Sequence, residues 1–176
     1  MFDYYNNLGQ PVVQLDDLDV ARCKEIVKQK VAYCETHKQQ HKYAHVVKLH
    51  EPNYCGALGE QAVAHYFDFD YKYRDYDVNL YDVLGYEVRT TYRFNGRLLT
   101  HADDKNARYI FVTVDKITLS ATIRGYSPLS RCNERQSNWD NTLPDPCFAM
   151  QQNQLWPIDT LPATPELIAH QAKLAA

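Results

Sequence analysis

This 176-residue chain lacks most of the features that assign a protein quickly. No apolar run approaches the roughly 20 residues needed to cross a bilayer, so no membrane partner is expected. The segment Met1 to Asn7 shows no basic stretch followed by an apolar one, so no signal peptide is expected. Five cysteines (Cys23, Cys34, Cys55, Cys132, Cys147) form an odd set with no Cys-x-x-Cys pair. That argues against a disulfide scaffold and makes a reducing cytoplasm the default, the host's cytoplasm if the chain is viral. The formal net charge of −3 excludes nucleic-acid binding through bulk positive charge, though not through a local basic groove. No Gly-rich phosphate loop, G-x-S-x-G elbow, dinucleotide fingerprint, internal repeat or low-complexity linker is present.

What remains is a globular composition, 45% apolar and 23% charged, long enough for one domain with a real core over 1–176. Fourteen tyrosines spread along the chain suit strand packing with polar tips reaching water. An N-terminal helical region covers 1–50. Its helix runs from Leu15 to about Gln40, capped by Asp16 or Asp17, with Val20, Cys23, Ile26, Val27, Val31 and Cys34 as its stripe. A second helix spans 54–67. Strands are predicted over 79–83, 86–93, 97–101, 108–115 and 117–126, with tight joins near Gly85 and at Phe94-Asn95-Gly96, a hairpin signal. The almost wholly apolar segment 109–114 reads as a strand covered on both faces. In the C-terminal extension, 127–176, a short helix mixes with loop, and a last helix follows Thr164 as cap and Pro165 at its first position. The predicted class is α+β (mixed α/β), a mostly antiparallel or mixed sheet flanked by helices.

Four charged residues fall on faces that should pack inward. Glu60 shares a helical face with Val63, Ala64 and Phe67. Asp82 precedes the strand on which Glu87, Arg89 and Thr91 alternate with Tyr86, Val88, Thr90 and Tyr92. Buried charges need partners, a metal or a shifted pKa. Carboxylates at Glu60, Asp82 and Glu87, with the Val88 carbonyl between Glu87 and Arg89, offer oxygen ligands that suit Mg²⁺ or Mn²⁺.

Helix glutamate, strand aspartate, then Glu87-Val88-Arg89 resembles the PD-(D/E)XK nuclease superfamily in order and element type. The stretch Asp82-Val-Leu-Gly85-Tyr86-Glu87-Val88-Arg89-Thr90, the strand 109–114 and the tail Met150 to Ile158 are similar to small, often phage-encoded proteins of that superfamily. The resemblance covers about 54–126. It implies a restriction-endonuclease-like core and Mg²⁺- or Mn²⁺-dependent hydrolysis of DNA. Asp82, Glu87 and Val88 then hold the metal, Glu60 supports it, and Arg89 orients water or the scissile phosphate. It also brings DNA as partner and, in many such nucleases, a homodimer that cuts both strands. The superfamily carries Lys where this chain has Arg89. An arginine is a poor general base but a good bidentate phosphate clamp, and Lys105 is the substitute if its loop folds back. The alternative is a catalytically inactive relative that binds nucleic acid or a protein partner.

Other residues compete with these. Asp75 and Asp77 compete with Asp82 for the first metal position, and Asp82 is preferred for its short distance to Glu87 in sequence. His37, His41, His45 and His50 could hold zinc, but their Lys and Gln neighbours favour a solvated helix face. Cys132 and Cys147 read as core or free thiols, and His101 as a strand-end histidine that could line the cleft. Arg93, Arg97 and Lys105 are the expected substrate contacts, with Lys48, Arg108 and Arg124 as further phosphate-tracking cations.

Overall fold

The computed structural model describes residues 4–36, 50–71, 81–134, 138–143 and 145–175. The histidines 37, 41 and 45, the end of the first predicted helix, Lys48, Asp75, Asp77 and the start of the predicted strand 79–83 lie outside them.

Four α-helices and two sheets among the described residues make an α+β architecture. Strands β1 (Tyr4–Tyr5) and β2 (Pro11–Gln14) precede helix α1 (Asp17–Thr36) and helix α2 (His50–Tyr66). Asp16 starts α1: its Oδ1 accepts from the Asp19 amide at 2.8 Å, and Asp19 Oδ2 accepts from the Asp16 amide at 3.1 Å. That reciprocal pair satisfies two orphan donors at once. Helix α2 begins four residues earlier than expected because Pro52 sits in its first turn, where no amide is needed.

Next come β3 (Glu87–Thr91), β4 (Leu98–Thr100), β5 (Arg108–Val114), β6 (Ser120–Pro128), α3 (Leu129–Glu134), β7 (Trp139–Asp140), β8 (Cys147–Met150) and α4 (Pro165–Leu174). The larger sheet has the order β1-β2-β6-β5-β3, and the smaller β4-β8-β7. All pairs are antiparallel except β3 with β5, which run parallel with Glu87 opposite Tyr109. The expected Phe94–Gly96 hairpin is therefore corrected. The turn forms, with the Gly96 amide donating to Arg93 O at 2.8 Å, but it sends the chain out of one sheet and into the other. That excursion through β4 lets β5 return parallel to β3. Turn chemistry fixes a local reversal but not which sheet the next strand joins.

Strand β5 is covered on both faces, as its sequence predicts. Ile110, Val112 and Val114 pack with Val88 against Ile26, Val27, Leu58 and Val63 of α1 and α2. Tyr109 and Phe111 face a second core of Leu98, Leu129, Cys132 and Met150. Helix α2 reaches β3 at a glycine: a Cβ on Gly59 would stand 1.9 Å from Thr90 Oγ1. This close approach brings the next residue, Glu60, against the start of the edge strand. Helix α4 forms where expected, with Thr164 Oγ1 accepting from the Leu167 amide at 3.1 Å. The N-terminal region is not wholly helical, because β1 and β2 extend the large sheet through β6.

Candidate active site

The site is built by a two-residue turn. Val83 and Tyr86 exchange both backbone hydrogen bonds, at 3.1 and 2.8 Å, and the residues between them, Leu84 and Gly85, have φ of 47° and 84°. Two positive φ values in succession are the type I′ pattern that matches strand twist. The turn folds Asp82 back beside β3, where its Oδ2 accepts from the Val88 amide at 2.8 Å. That amide points away from β5, on the side of β3 where no further strand pairs among the described residues. The Val88 carbonyl leaves the strand on the same side, since both polar groups of one strand residue face the same neighbour. The C-terminal segment clamps the turn: Thr164 Oγ1 donates to Leu84 O at 2.6 Å, and Tyr86 Oη donates to Pro162 O at 2.8 Å.

Glu60 and Glu87 are each only 7% exposed, and both are spoken for. Glu60 accepts from Lys30 Nζ of α1 at 3.3 Å and from the Tyr71 hydroxyl. Glu87 accepts from Lys105 Nζ at 2.9 Å. Among the described residues, the hydrogen-bond donor to Asp82 is the Val88 amide. Although part of the residue reaches solvent, protein surrounds its carboxylate. Burial, then the charges of Glu60 and Glu87, push its pKa up to about 8. Three carboxylates thus lie within electrostatic reach of one another, and one of them gives up its charge near neutrality.

Arg89 projects from the same strand face as Glu87, as alternation predicts, but it is not bonded to the carboxylates. Its Nη2 donates to Asp104 Oδ2 at 3.3 Å, and its guanidinium lies 5.2 Å from the centre of the Tyr109 ring. Burial works against its charge, but Asp104 and the neighbouring acidic groups outweigh it and hold the guanidinium firmly protonated. Asp104 also accepts from the His101 amide at 3.0 Å, while the Tyr109 hydroxyl donates to Lys105 O at 2.9 Å. These contacts fold the loop 101–105 back and deliver Lys105 to Glu87. The side chain of His101 is turned to Asp145, with Nε2 3.2 Å from Oδ2 but poorly aligned for a hydrogen bond.

Of the other expected contacts, Arg97 is committed to Asp140, its Nη2 2.7 Å from Oδ2, and ties β4 to β7. Arg93 is exposed. Cys132 and Cys147 are buried free thiols. A cleft of about 410 Å³ opens beside the Lys105 loop, lined by Tyr81, Asn106, Arg108 and the start of α4 at Thr164 to Glu166.

The sequence reading missed Lys30 and Tyr71, and it placed Thr164 only as a helix cap, not as a clamp on the turn that carries Asp82. Lys30 had a signal: it follows Ile26 by four residues and Val27 by three, so it shares their buried face. Tyr71 lies beyond the helix in a loop and carries no comparable pattern.

The donor set is all oxygen, which fits a hard cation such as Mg²⁺ or Mn²⁺. Among the described residues, no three His, Cys, Asp or Glu side chains are gathered closely enough to hold an ion as they stand. Lys105, Lys30 and Tyr71 hold two of the three carboxylates in its place. No protein-family model, curated protein or solved structure matches this chain.

Proposed function

We propose that the chain hydrolyses phosphodiester bonds of DNA in the manner of the PD-(D/E)XK nucleases, at a divalent cation held by Asp82, Glu87 and the Val88 carbonyl. The observation that carries this reading is the crowding of Glu60, Asp82 and Glu87 beside the edge strand β3, where burial and then the two glutamates raise Asp82 to about 8. Bound there, Mg²⁺ or Mn²⁺ would supply Lewis-acid charge to the phosphate and an activated water.

The chain's own residues divide the remaining work. Asp82 loses its proton when a cation arrives, so occupancy is coupled to pH. Glu60, tethered by Tyr71 and Lys30, supports the cluster from the helix side. Lys105 supplies the positive charge that the sequence pattern places at Arg89. It stands 2.9 Å from Glu87, and a lysine can exchange a proton where an arginine cannot. Arg89 holds the loop that carries Lys105. Arg93 and Arg108 remain as phosphate contacts, Arg108 in the cleft beside the site.

Cleavage of linear single- and double-stranded DNA with Mg²⁺ and Mn²⁺ tests this, comparing wild type with Asp82→Ala and Glu87→Ala. Loss of activity in both variants is the expected result. Cleavage untouched by either change would refute the site.

The Lys105–Glu87 pair also favours a second reading, a silent relative whose lysine fills the cation's place and which binds nucleic acid without cutting it. It predicts salt-sensitive binding and no cleavage with any divalent metal.

A further inference from the structure

Arg124 is a second charged group on an inward-facing position, and its surroundings are of the opposite kind. It is the extra residue of a β-bulge: Phe111 pairs with Gly125 and Val112 with Ile123, leaving Arg124 unpaired on β6. Bulges re-aim a side chain, and this one turns Arg124 across β5. Gly125 makes the bulge feasible, with φ of 132° and Trp156 O 2.4 Å from where a Cβ would sit. The residue is only 7% exposed. Its Nε donates to Thr113 Oγ1 at 2.7 Å and its Nη1 to Gln10 Oε1 at 3.1 Å. Neither partner carries charge. No carboxylate among the described residues pairs with it, although buried charges are ordinarily paired. A carboxylate would cancel the field of this cation, and neutral acceptors leave it standing.

The guanidinium lies 4.6 Å from the centre of the Phe94 ring. Phe94 is 72% exposed, so one ring face rests on the cation and the other is open to solvent. The loop that displays it is fixed. Gln152 Nε2 donates to Phe94 O at 2.7 Å and to Gly96 O at 3.0 Å, and the Arg93 amide donates to Thr91 Oγ1 at 3.1 Å. Gly96 is required, since a Cβ there would meet Thr91 Cγ2 at 2.4 Å. The neighbouring Arg93 is exposed and has no ion pair among the described residues.

Phe94 and Arg124 lie on the sheet face that carries Glu87 and Arg89. Glu87 pairs with Tyr109 and Thr91 with Thr113, so the two regions are four residues apart, about 13 Å along the strands.

We propose that Phe94 is a stacking platform for an unpaired nucleobase, with Arg93 and Arg124 attracting the flanking phosphates, so that the strand presented to the carboxylate site is single-stranded DNA. A base stacked on the open ring face needs no hydrogen-bond readout, and every base has such a face. The inference rests on the nucleic-acid part of the proposed function, not on cleavage.

Binding is measured without divalent metal, in EDTA, by fluorescence anisotropy with a labelled oligothymidine of about 12 nucleotides and with a duplex of equal length. Wild type should prefer the single strand. Phe94→Ala should weaken that binding about tenfold and leave the duplex unchanged, whereas Phe94→Trp should retain it and Phe94→Leu should not. Arg93→Ala should lower the slope of log K against log salt by about 0.7. Phe94 and Arg93 are exposed, so these variants should melt with wild type. Single-strand binding unchanged by Phe94→Ala, binding retained by Phe94→Leu, or no binding at low salt overturns the platform. Binding as described without cleavage by wild type overturns the nuclease reading and leaves the platform standing.

Discussion

The two ends of one sheet face are opposites in charge and alike in design. At the start of β3, three carboxylates crowd together, served by Lys30 and Lys105, and among the described residues no cation pairs with Asp82. At the far end, Arg124 is buried among Thr113, Gln10 and Phe94, and among the described residues no anion pairs with it. Each end holds a charge that folding alone would have neutralised or excluded. Elsewhere the chain balances its charges by ordinary means: Arg97 takes Asp140, and Arg22 takes Asp70 in solvent. Under the proposed function, the contrast separates charge kept for architecture from charge kept for a ligand, a cation at one end and a phosphate backbone at the other.

Kinetics should split along the same line. Lys105→Met should lower kcat about a hundredfold, as loss of one positioned charge donor does at other sites. Arg93→Ala, remote from the carboxylates, should raise KM severalfold and leave kcat unchanged. Arg89→Lys should fall between these extremes, because it loosens the Asp104 contact that holds the Lys105 loop. Steady-state kinetics on a labelled single strand would show this. If Arg93→Ala moved kcat as far as Lys105→Met, the two ends would be one catalytic unit, and the contrast would fail.

The acidic end depends on a close approach of helix to strand at one glycine. Gly59 lets α2 settle on Thr90, and Glu60 follows it. Gly59→Ala should cost about 2–3 kcal/mol, since the methyl group has no room in a packed interior. The melting temperature should fall by several degrees. Adding Thr90→Ala should recover part of that loss, because the obstructing atoms belong to Thr90. A Gly59→Ala protein that melted with wild type would mean that the helix can withdraw freely from β3.

The acidic end was also the more legible of the two in sequence. Glu60, Asp82 and Glu87 stand out because period and burial conflict there: a charge on the apolar face of a helix, and charges on a strand beside Val88. A tight join near Gly85, though not its turn type, was visible, and the buried strand 109–114 and the Thr164 cap were visible in local composition. Arg124 could not be picked out in the same way. Its strand partners, Thr113 and Gln10, are distant in sequence, and a bulge moves side chains out of the alternation that would flag them. The Phe94–Gly96 turn was read correctly as a turn but not as a change of sheet, and sheet membership is a long-range property. Lys105 was recognised as a substitute cation, but the contacts that deliver it, Arg89 with Asp104 and Tyr109 with the Lys105 carbonyl, are tertiary.

The smallest effect is also the most specific to the acidic end. Asp82 has a folded-state pKa of about 8 against 3.8 for the free side chain, so between those values the folded protein binds the extra proton. The stabilising contribution of the protonated carboxyl is complete below pH 3.8 and is lost as pH rises through about 8. Wild type should therefore lose stability between pH 6 and 9 through this group. Asp82→Asn, which cannot ionise, should not, and should melt higher than wild type at pH 9 by about 1 kcal/mol or more. Millimolar Mg²⁺ should restore the wild-type melting temperature at pH 9 by binding the folded state. It should do little for Asp82→Asn, and removal of the metal with EDTA should reverse the gain. Melting curves of both proteins at pH 6 and 9, with and without Mg²⁺, check this directly. A wild type whose stability is flat across that range would mean that Asp82 is already ionised and compensated, and the acidic end would then resemble the ordinary ion pairs elsewhere in the chain.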